Sequence, residues 1–268
     1  YRNRVDDLEP AVARKLYGLD SAGGGVLAAS VTLLESFASC PFQHFAAYGL
    51  RLREREIYRV DAPRLGRVYH AALSLLVRRV GERGLDWDEL DGQRVRGLLD
   101  EILAELAPRL EDEIPTGTAY HRYLLGIIGR TLRVTVDNLA EQARRGSFRP
   151  LGVEVDFGPG ARLPSPALRL PGGERLVLRG RIDRIDAARA GDGRWLVRVI
   201  DYKSGPRDLA LDKVYHGLSL QLAVYLLVVM SGAGALLPGT AAVEPAALLY
   251  VPVHDPYLDA RRPLDAEE

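Results

Sequence analysis

Hydrophobic positions recur with helical spacing in the first half of the chain and alternate with polar positions in the second half. Before residue 150, the spacing predicts a helix that starts near Ser30 or Thr32, then helices at about residues 67–80, 88–107 and 120–144. After Pro150, the pattern predicts three strands, a helix and a closing strand, at about residues 152–157, 176–183, 195–201, 214–230 and 247–253. This order of elements predicts an α/β core with an added N-terminal helical region.

Changes in composition divide the chain into three parts. Residues 1–29 are mixed in character and contain three consecutive glycines, so we predict a linker or the tail of a preceding domain. The sequence from Thr32 to Glu35 fits a capping box at the start of the next part. We expect residues 30–149 to form the helical part and residues 150–268 the core, with residues 30–268 as one structural unit.

Charge and cysteine content narrow the kinds of function. The 268 residues carry 36 basic and 36 acidic side chains, so no overall positive field attracts nucleic acid. Only Lys15, Lys203 and Lys213 are lysines among these basic residues, which makes a lysine a candidate for a role that arginine cannot fill. A single cysteine, Cys40, excludes an internal disulfide and any iron–sulfur site built only from this chain's cysteines.

Nothing in the sequence predicts a membrane span or a secretory signal. The longest apolar run, residues 218–230, is interrupted by Gln221 and is shorter than the roughly 20 residues that cross a bilayer. The first residues lack the apolar stretch of a signal peptide, so we expect a cytoplasmic protein with no membrane partner. The chain does not begin with Met, and we expect it to be part of a longer polypeptide.

The first candidate for chemistry is the pair Asp201 and Lys203, at the end of a predicted strand. Alternate side chains of a strand share a face, so these two point the same way. A predicted hairpin turn at residues 191–193 brings the preceding strand, which ends at Asp183, beside Asp201. Because adjacent carboxylates repel one another, the pair favours a divalent cation such as Mg²⁺.

Four further polar residues complete the set of candidates. His70 follows a glycine by four residues on a predicted helix, and an imidazole can complete a carboxylate metal site. Gln221 and Tyr225 lie four residues apart in an otherwise apolar helix, so they share a face that should meet a polar partner. Glu154 lies in the first predicted strand, where it is a candidate for a role near the metal.

Each candidate also has a purely structural alternative. Asp201 and Lys203 would form an exposed ion pair of little energetic value, and Asp183 would pair with Arg181 or Arg184. The alternatives for the other candidates are a surface or core histidine at His70, a solvent-facing stripe at Gln221 and Tyr225, and an exposed strand acid at Glu154. Two arginine clusters would either line a DNA channel or form solvated faces, and they comprise Arg51, Arg53 and Arg55, and Arg179, Arg181 and Arg184.

Five short motifs carry a family resemblance. They are Gly66 to His70, Gly152-Val-Glu154, Gly180-Arg-Ile-Asp183-Arg-Ile-Asp186, Asp201-Tyr-Lys203-Ser-Gly205 and Gln221-Leu-Ala-Val-Tyr225. In this order they resemble the RecB-type nucleases, which have the PD-(D/E)xK (restriction-endonuclease-like) fold with a mixed central sheet. The segment from Ser30 to Arg55 is similar to the start of the nuclease domain in the AddB family of bacterial AddAB helicase–nucleases. The resemblance covers roughly residues 30–255.

The resemblance implies a role for each candidate. The metal ligands that it implies, for Mg²⁺ or Mn²⁺, are His70, Asp183, Asp201 and the backbone carbonyl of Tyr202. Lys203 would orient the attacking water and stabilise negative charge on the phosphate. The residues implied to support the substrate and the active-site geometry are Gln221, Tyr225 and, near the metal, Glu154.

The resemblance also implies an activity and partners. We expect a metal-dependent deoxyribonuclease, acting as an exonuclease in the end resection of double-strand breaks. The expected partners are DNA, in single-stranded form, and an AddA-like helicase–nuclease subunit. No Gly-x-x-x-x-Gly-Lys-Ser/Thr loop is present, so the chain itself should not hydrolyse ATP. The alternatives are a free-standing RecB-like nuclease and a catalytically silent DNA-binding or scaffold module of the same fold.

Cys40 departs from the AddB pattern. In that family the cysteine before Pro41 is one of four ligands of a [4Fe–4S] cluster, and the other three lie near the C-terminus. Because this chain has no other cysteine, the resemblance implies that Cys40 is an orphan ligand. We expect no cluster in this polypeptide, and a [4Fe–4S] cluster only if the full-length protein has the C-terminal cysteines. The alternative for Cys40 is a buried small apolar residue.

Overall fold

The computed structural model describes residues 9–17, 26–53, 62–113, 119–170, 173, 175–205, 209–239 and 243–254. The glycines at 23–25, Arg55 and all residues after 254 therefore lie outside the described residues. None of the helices in these ranges combines the length and the apolar character that crossing a membrane requires.

Long helices dominate the first half of the chain. The helices are α1 (Pro10–Tyr17), α2 (Val31–Ser39), α3 (Pro41–His44), α4 (Ala62–Glu82), α5 (Gly92–Glu113), α6 (Ala119–Arg144), α7 (Leu211–Tyr215), α8 (Gln221–Ser231) and α9 (Ala233–Leu236). A π-helical turn, Phe45–Gly49, follows α3, and a 3-10 turn, Trp87–Glu89, precedes α5. The predicted helices at 67–80, 88–107 and 120–144 are confirmed as α4, α5 and α6. Their apolar residues at helical spacing, such as Val68, Ala72 and Leu76 on α4, are buried.

Two sheets form the second half. The strands are β1 (Val26–Ala29), β2 (Arg149–Phe157), β3 (Ala167–Arg169), β4 (Arg175–Leu178), β5 (Gly180–Arg189), β6 (Trp195–Lys203) and β7 (Val243–Pro252). Strands β2, β5, β6 and β7 form a four-stranded sheet in that order, antiparallel except for the parallel pair β6 and β7. In the other sheet, β4 pairs with β1 in parallel and with β3 antiparallel. The predicted hairpin between β5 and β6 is confirmed, and Gly193 takes a positive φ of 88° in its turn.

The four-stranded sheet lies between two hydrophobic cores. On one face, α4, α5 and α6 pack together with Ile200 and Tyr202 of β6 and Val251 of β7. On the other face, Val197 and Val199 of β6 pack with the buried residues of α8. Because β6 is covered on both faces, its sequence is a nearly continuous apolar run that ends in polar residues. The predicted α/β core with a mixed sheet and an N-terminal helical region is confirmed.

The single strand predicted at residues 176–183 is wrong, because this run forms β4 and β5, which belong to different sheets. Between them, the Arg179 N–H donates to the carbonyl oxygen of Ala29 in β1 at 2.9 Å. Gly180 then passes so close to Phe157 that a Cβ atom would lie 2.7 Å from the ring. The absence of a side chain at Gly180 therefore lets the chain cross from one sheet to the other.

The single helix predicted at residues 214–230 is also wrong, because it is divided into α7 and α8. Gly217 has a φ of 74°, in the left-handed region, and its N–H donates to the carbonyl oxygen of Val214 at 3.1 Å. A left-handed glycine is a common end for a helix. As a result, Gln221 becomes the first residue of α8 rather than a residue in the middle of a longer helix.

Two expectations near the N-terminal end have different outcomes. Ser30 caps α2, since its side-chain oxygen accepts the N–H of Leu33 at 3.2 Å. The start at Ser30 is confirmed, whereas the capping box from Thr32 to Glu35 is wrong because the Glu35 carboxylate bonds elsewhere. Residues 26–29 form β1 and pair with β4, so the linker prediction is wrong for them. The division of the chain into parts otherwise stays a prediction.

Candidate active site

Three side chains from three elements converge beside the four-stranded sheet. His70 of α4, Glu154 of β2 and Asp183 of β5 each offer one metal-ligating atom, and these atoms all lie within 4.8 Å of one another. The His70 Nδ1 atom is 3.3 Å from the Asp183 Oδ1 atom. Asp183 lies in the first half of β5, so its predicted position at a strand end is wrong. The structure still brings it together with two of the other predicted residues.

Glu154 lies in a strained stretch of β2. Its φ of 48° is left-handed, which is uncommon for a residue other than glycine, although β2 pairs with β5 on both sides of it. Such strain costs on the order of 1–3 kcal/mol and is concentrated at functional sites. Burial, together with the negative charge of Asp183, raises the pKa of the Glu154 carboxyl, and Arg181 opposes this effect. The alternative of an exposed strand acid is wrong, because Glu154 is only partly exposed.

Asp183 is held from two directions. Its Oδ2 atom accepts the backbone N–H of Tyr202 at 2.8 Å, while its Oδ1 atom faces His70. Burial disfavours the charged form of His70, but the hydrogen bond to Asp183 and the nearby carboxylate charges outweigh it and raise the imidazole pKa. The Tyr202 ring also meets the His70 ring edge-on, with 6.0 Å between the centroids. These contacts fix both side chains beside Glu154.

The two arginines considered as partners of Asp183 bond elsewhere. The Arg181 Nε atom donates to Asp156 at 2.7 Å, and its NH1 group lies 3.3 Å from Glu154. Arg184 is only 2% exposed and donates twice to Asp186, at 2.6 and 3.0 Å. The suggestion that Arg184 lines a DNA channel is therefore wrong, because its guanidinium is inside the protein.

Asp201 is a completely buried carboxylate. Its Oδ2 atom is in contact with the Lys203 Nζ atom, yet within the described part of the chain neither oxygen has a well-directed hydrogen bond. Burial, and after it the charge of Asp183, raises the Asp201 pKa from 3.8 to about 6, while Lys203 and His70 oppose the rise. Asp201 is not among the three most closely grouped ligand atoms, but it shares the electrostatic field of that group. The alternative of an exposed ion pair with Lys203 is wrong.

A chain of hydrogen bonds links Lys203 to α8. The Lys203 Nζ atom donates to Gln221 Oε1 at 2.9 Å, and Gln221 Nε2 donates to the Tyr225 hydroxyl at 2.9 Å. Burial raises the pKa of Tyr225, so the hydroxyl stays protonated. The alternative of a solvent-facing stripe is wrong, because the Tyr225 ring is buried and meets Phe157 edge-on. The two polar residues of α8 therefore hold the lysine between helix and sheet.

Glu35 makes a contribution to the site that its sequence context does not predict. Its Oε1 atom accepts the backbone N–H groups of Leu220, at 2.6 Å, and Gln221, at 3.1 Å. These are the first amides of α8, so Glu35 of α2 caps a helix that lies about 185 residues further along the chain. No local pattern signals a contact across this separation, and the spacing from Thr32 to Glu35 pointed to a cap on α2 itself.

An open cleft of about 690 Å³ extends from the candidate site along α4. His70 and Glu154 lie in its wall, and its basic lining residues are Arg67, Arg78 and Arg181. Positions 67, 70, 74 and 78 fall on one side of α4 because a helix repeats every 3.6 residues. The cleft therefore joins the grouped ligand atoms to a basic helix surface.

Cys40 lies apart from these residues. It is half-buried at the junction of α2 and α3, and its Sγ atom accepts the N–H of Gln43 at 3.4 Å. Its predicted role as an orphan cluster ligand stays a prediction.

The residues present fit a hard divalent cation. Carboxylate oxygens suit Mg²⁺ and Mn²⁺, and one imidazole nitrogen can complete such a set. The strongest indication is Asp201, because a buried carboxylate without directed hydrogen bonds is costly unless a positive charge lies beside it. Lys203 supplies one positive charge, and a cation near His70, Glu154 and Asp183 would supply more.

Comparison with known proteins gives consistent results. The profile of the PD-(D/E)XK nuclease superfamily matches residues 28–267. The chain is 49% identical over 268 residues to an ATP-dependent helicase/deoxyribonuclease subunit of Symbiobacterium thermophilum. Identity to the subunits of the same name is 46% over 267 residues in Moorella thermoacetica and 45% over 268 residues in Pelotomaculum thermopropionicum. Each comparison covers 100% of the chain but 22% of the relative, so the chain spans about a fifth of the length of these relatives.

Proposed function

The chain belongs to the PD-(D/E)XK nuclease superfamily, and on this premise we propose that it hydrolyses DNA phosphodiester bonds with Mg²⁺ or Mn²⁺. The observation that carries the proposal is the convergence of His70, Glu154 and Asp183 within 4.8 Å, next to the buried Asp201 and Lys203. Carboxylates, an imidazole and one ammonium group in a cleft are the components that metal-assisted phosphoryl chemistry requires. A catalytically silent module of the same fold would have no use for a buried, poorly bonded carboxylate.

The residues that would hold the metal are His70, Asp183, Asp201 and the backbone carbonyl of Tyr202, with Glu154 beside them. A bound divalent cation polarises a phosphoryl oxygen and lowers the pKa of a coordinated water. Lys203 is placed to orient the attacking water and to stabilise the charge that develops on the phosphate. Asp201 and Gln221 hold its ammonium group in position from two sides.

The proposed substrate is single-stranded DNA. The cleft along α4 is open, and its arginines suit a phosphate backbone. The relatives' name joins a helicase to a deoxyribonuclease, and a helicase produces single strands. We therefore propose that the chain is the nuclease domain of an AddB-like subunit. In this role it would act as an exonuclease beside an AddA-like subunit, in the cytoplasm, during end resection at double-strand breaks.

Digestion of single-stranded DNA in the presence of Mg²⁺ or Mn²⁺ tests the proposal. The 268-residue chain is expected to cleave, and Asp201→Ala is expected to reduce cleavage by at least about 10²-fold because the site loses a metal carboxylate. Asp100→Ala, which removes an exposed acid from α5, is the matched control and should cleave normally. Inactive parent protein would favour the silent module, and equal cleavage by Asp201→Ala would assign the activity to a contaminant. Copurification with an AddA-like subunit would argue against a free-standing nuclease.

Replacement of Arg78 by alanine is expected to weaken substrate binding without slowing the chemical step. Arg78 is exposed in the cleft and lies about 12 Å along α4 from His70, too far to contact the reacting phosphate. We expect a higher KM, an unchanged kcat, and a salt dependence of binding reduced by about 0.7 in the log–log slope. Arg96→Ala, which removes an exposed arginine of α5 outside the cleft lining, is the control. An equal effect of both substitutions would show that the cleft does not bind DNA.

A further inference from the structure

The start of α8 depends on a residue from another part of the chain. Its N-cap residue is Leu220, whose side chain has no atom that can accept a hydrogen bond. The carboxylate of Glu35 supplies the missing acceptor for the N–H groups of Leu220 and Gln221. A negative charge at this position also interacts favourably with the helix dipole. The contact therefore determines where α8 begins and how its first turn is oriented.

The first turn of α8 carries the residue that holds Lys203. Gln221 is bonded through its backbone to Glu35 and through its side-chain oxygen to the Lys203 Nζ atom. Its amide nitrogen is anchored by the Tyr225 hydroxyl one turn later. Any displacement of the Gln221 backbone must therefore move the acceptor of the lysine. Helix α2 also packs close to this region, since a Cβ atom on Gly217 would lie 3.3 Å from Ala38.

We propose that Glu35 is a positioning residue that sets the place of Lys203 through Gln221. This inference rests on the proposed nuclease function for its kinetic consequence, although the positioning itself does not depend on activity. Glu35 touches neither metal ligands nor the cleft lining, so its effect should fall on the chemical step rather than on substrate binding. A shift of about 1 Å in a positioned catalytic group can reduce the rate by as much as about 100-fold.

The kinetic test compares three variants of the 268-residue chain. Glu35→Ala is expected to lower kcat by about 10- to 100-fold with little change in KM. Glu35→Gln should retain most of the activity, because both amides bond to the single oxygen Oε1, which glutamine keeps. Glu82→Ala removes an exposed glutamate from the end of α4 and should behave like the parent. Adding Glu35→Ala to Gln221→Ala should cause no further loss, since both changes disrupt the same link.

A second test measures the lysine directly and needs no activity. The chain has three lysines, so acylation by a small amine reagent can be read at each by mass spectrometry. In Glu35→Ala, labelling of Lys203 should increase relative to Lys213, whereas Glu35→Gln should match the parent. Unchanged Lys203 labelling in Glu35→Ala would overturn the inference, as would additive effects in the double variant. An inactive parent with the expected labelling would instead count against the proposed function alone.

Discussion

Replacement of Lys203 by arginine should remove most of the nuclease activity although the positive charge is kept. The ammonium group fits between the Asp201 carboxylate and the Gln221 Oε1 atom, the latter at 2.9 Å. A guanidinium group is planar and wider, so it cannot place its charge at the same point without moving Gln221. Loss of a group that stabilises developing charge typically costs about 10²- to 10³-fold in kcat, and we expect Lys203→Ala and Lys203→Arg to fall in this range.

The comparison that checks this expectation is Lys213→Arg. Lys213 lies on the exposed α7, outside the residues that converge at the site, so its replacement should leave kcat unchanged. Single-turnover cleavage of a labelled single strand at saturating protein measures the chemical step apart from binding. If Lys203→Arg cleaves within a few-fold of the parent, the ammonium group does not have the specific role proposed for it.

Replacement of Asp201 by asparagine should eliminate cleavage but stabilise the metal-free fold at alkaline pH. The folded protein raises the Asp201 pKa from 3.8 to about 6, chiefly by burial. Folding therefore favours the protonated carboxyl, and this contribution to stability is complete below pH 3.8 and is lost as pH rises through about 6. The shift corresponds to about 3 kcal/mol. Because asparagine leaves Lys203 without its ion pair, we expect a net gain of about 1–2 kcal/mol at pH 8.

Urea unfolding in a chelator, at pH 5 and pH 8, measures this effect. The parent should lose more stability than Asp201→Asn between the two pH values, and other titrating groups cancel in the comparison. Added Mg²⁺ should stabilise the parent at pH 8 more than the variant, since a bound cation compensates the buried charge. Parallel pH dependences for the two proteins would mean that Asp201 is not the carboxyl that destabilises the metal-free site.

Local spacing and the order of motifs were sufficient to predict the residues that meet at the site. The alternation in β6 and the glycines of the hairpin turn place Asp183 and Asp201 on neighbouring strands, as the structure shows. Helical spacing predicts α4, and with it the side of the helix that carries His70. These predictions succeed because each depends on the periodicity of one element or on one short turn.

The features that could not be predicted depend on contacts between distant parts of the chain. The run from residue 176 to residue 183 alternates like one strand, but the close approach of Gly180 to Phe157 divides it between two sheets. Glu35 matches a local capping pattern, yet its partners are the amides at the start of α8. The left-handed backbone at Glu154 has no signature in a residue that rarely adopts it. In each case tertiary packing overrides the local preference.

Strand β1 limits how far the domain can be shortened from its N-terminal side. Its residues pair in parallel with β4, and Ala29 is completely buried beneath them. A fragment that starts at residue 30 would expose the backbone N–H and C=O groups along one edge of β4, together with Leu176 and Leu178. Open strand edges of this kind pair readily with other chains. Such a fragment would therefore tend to aggregate before its enzymatic capacity could be assessed.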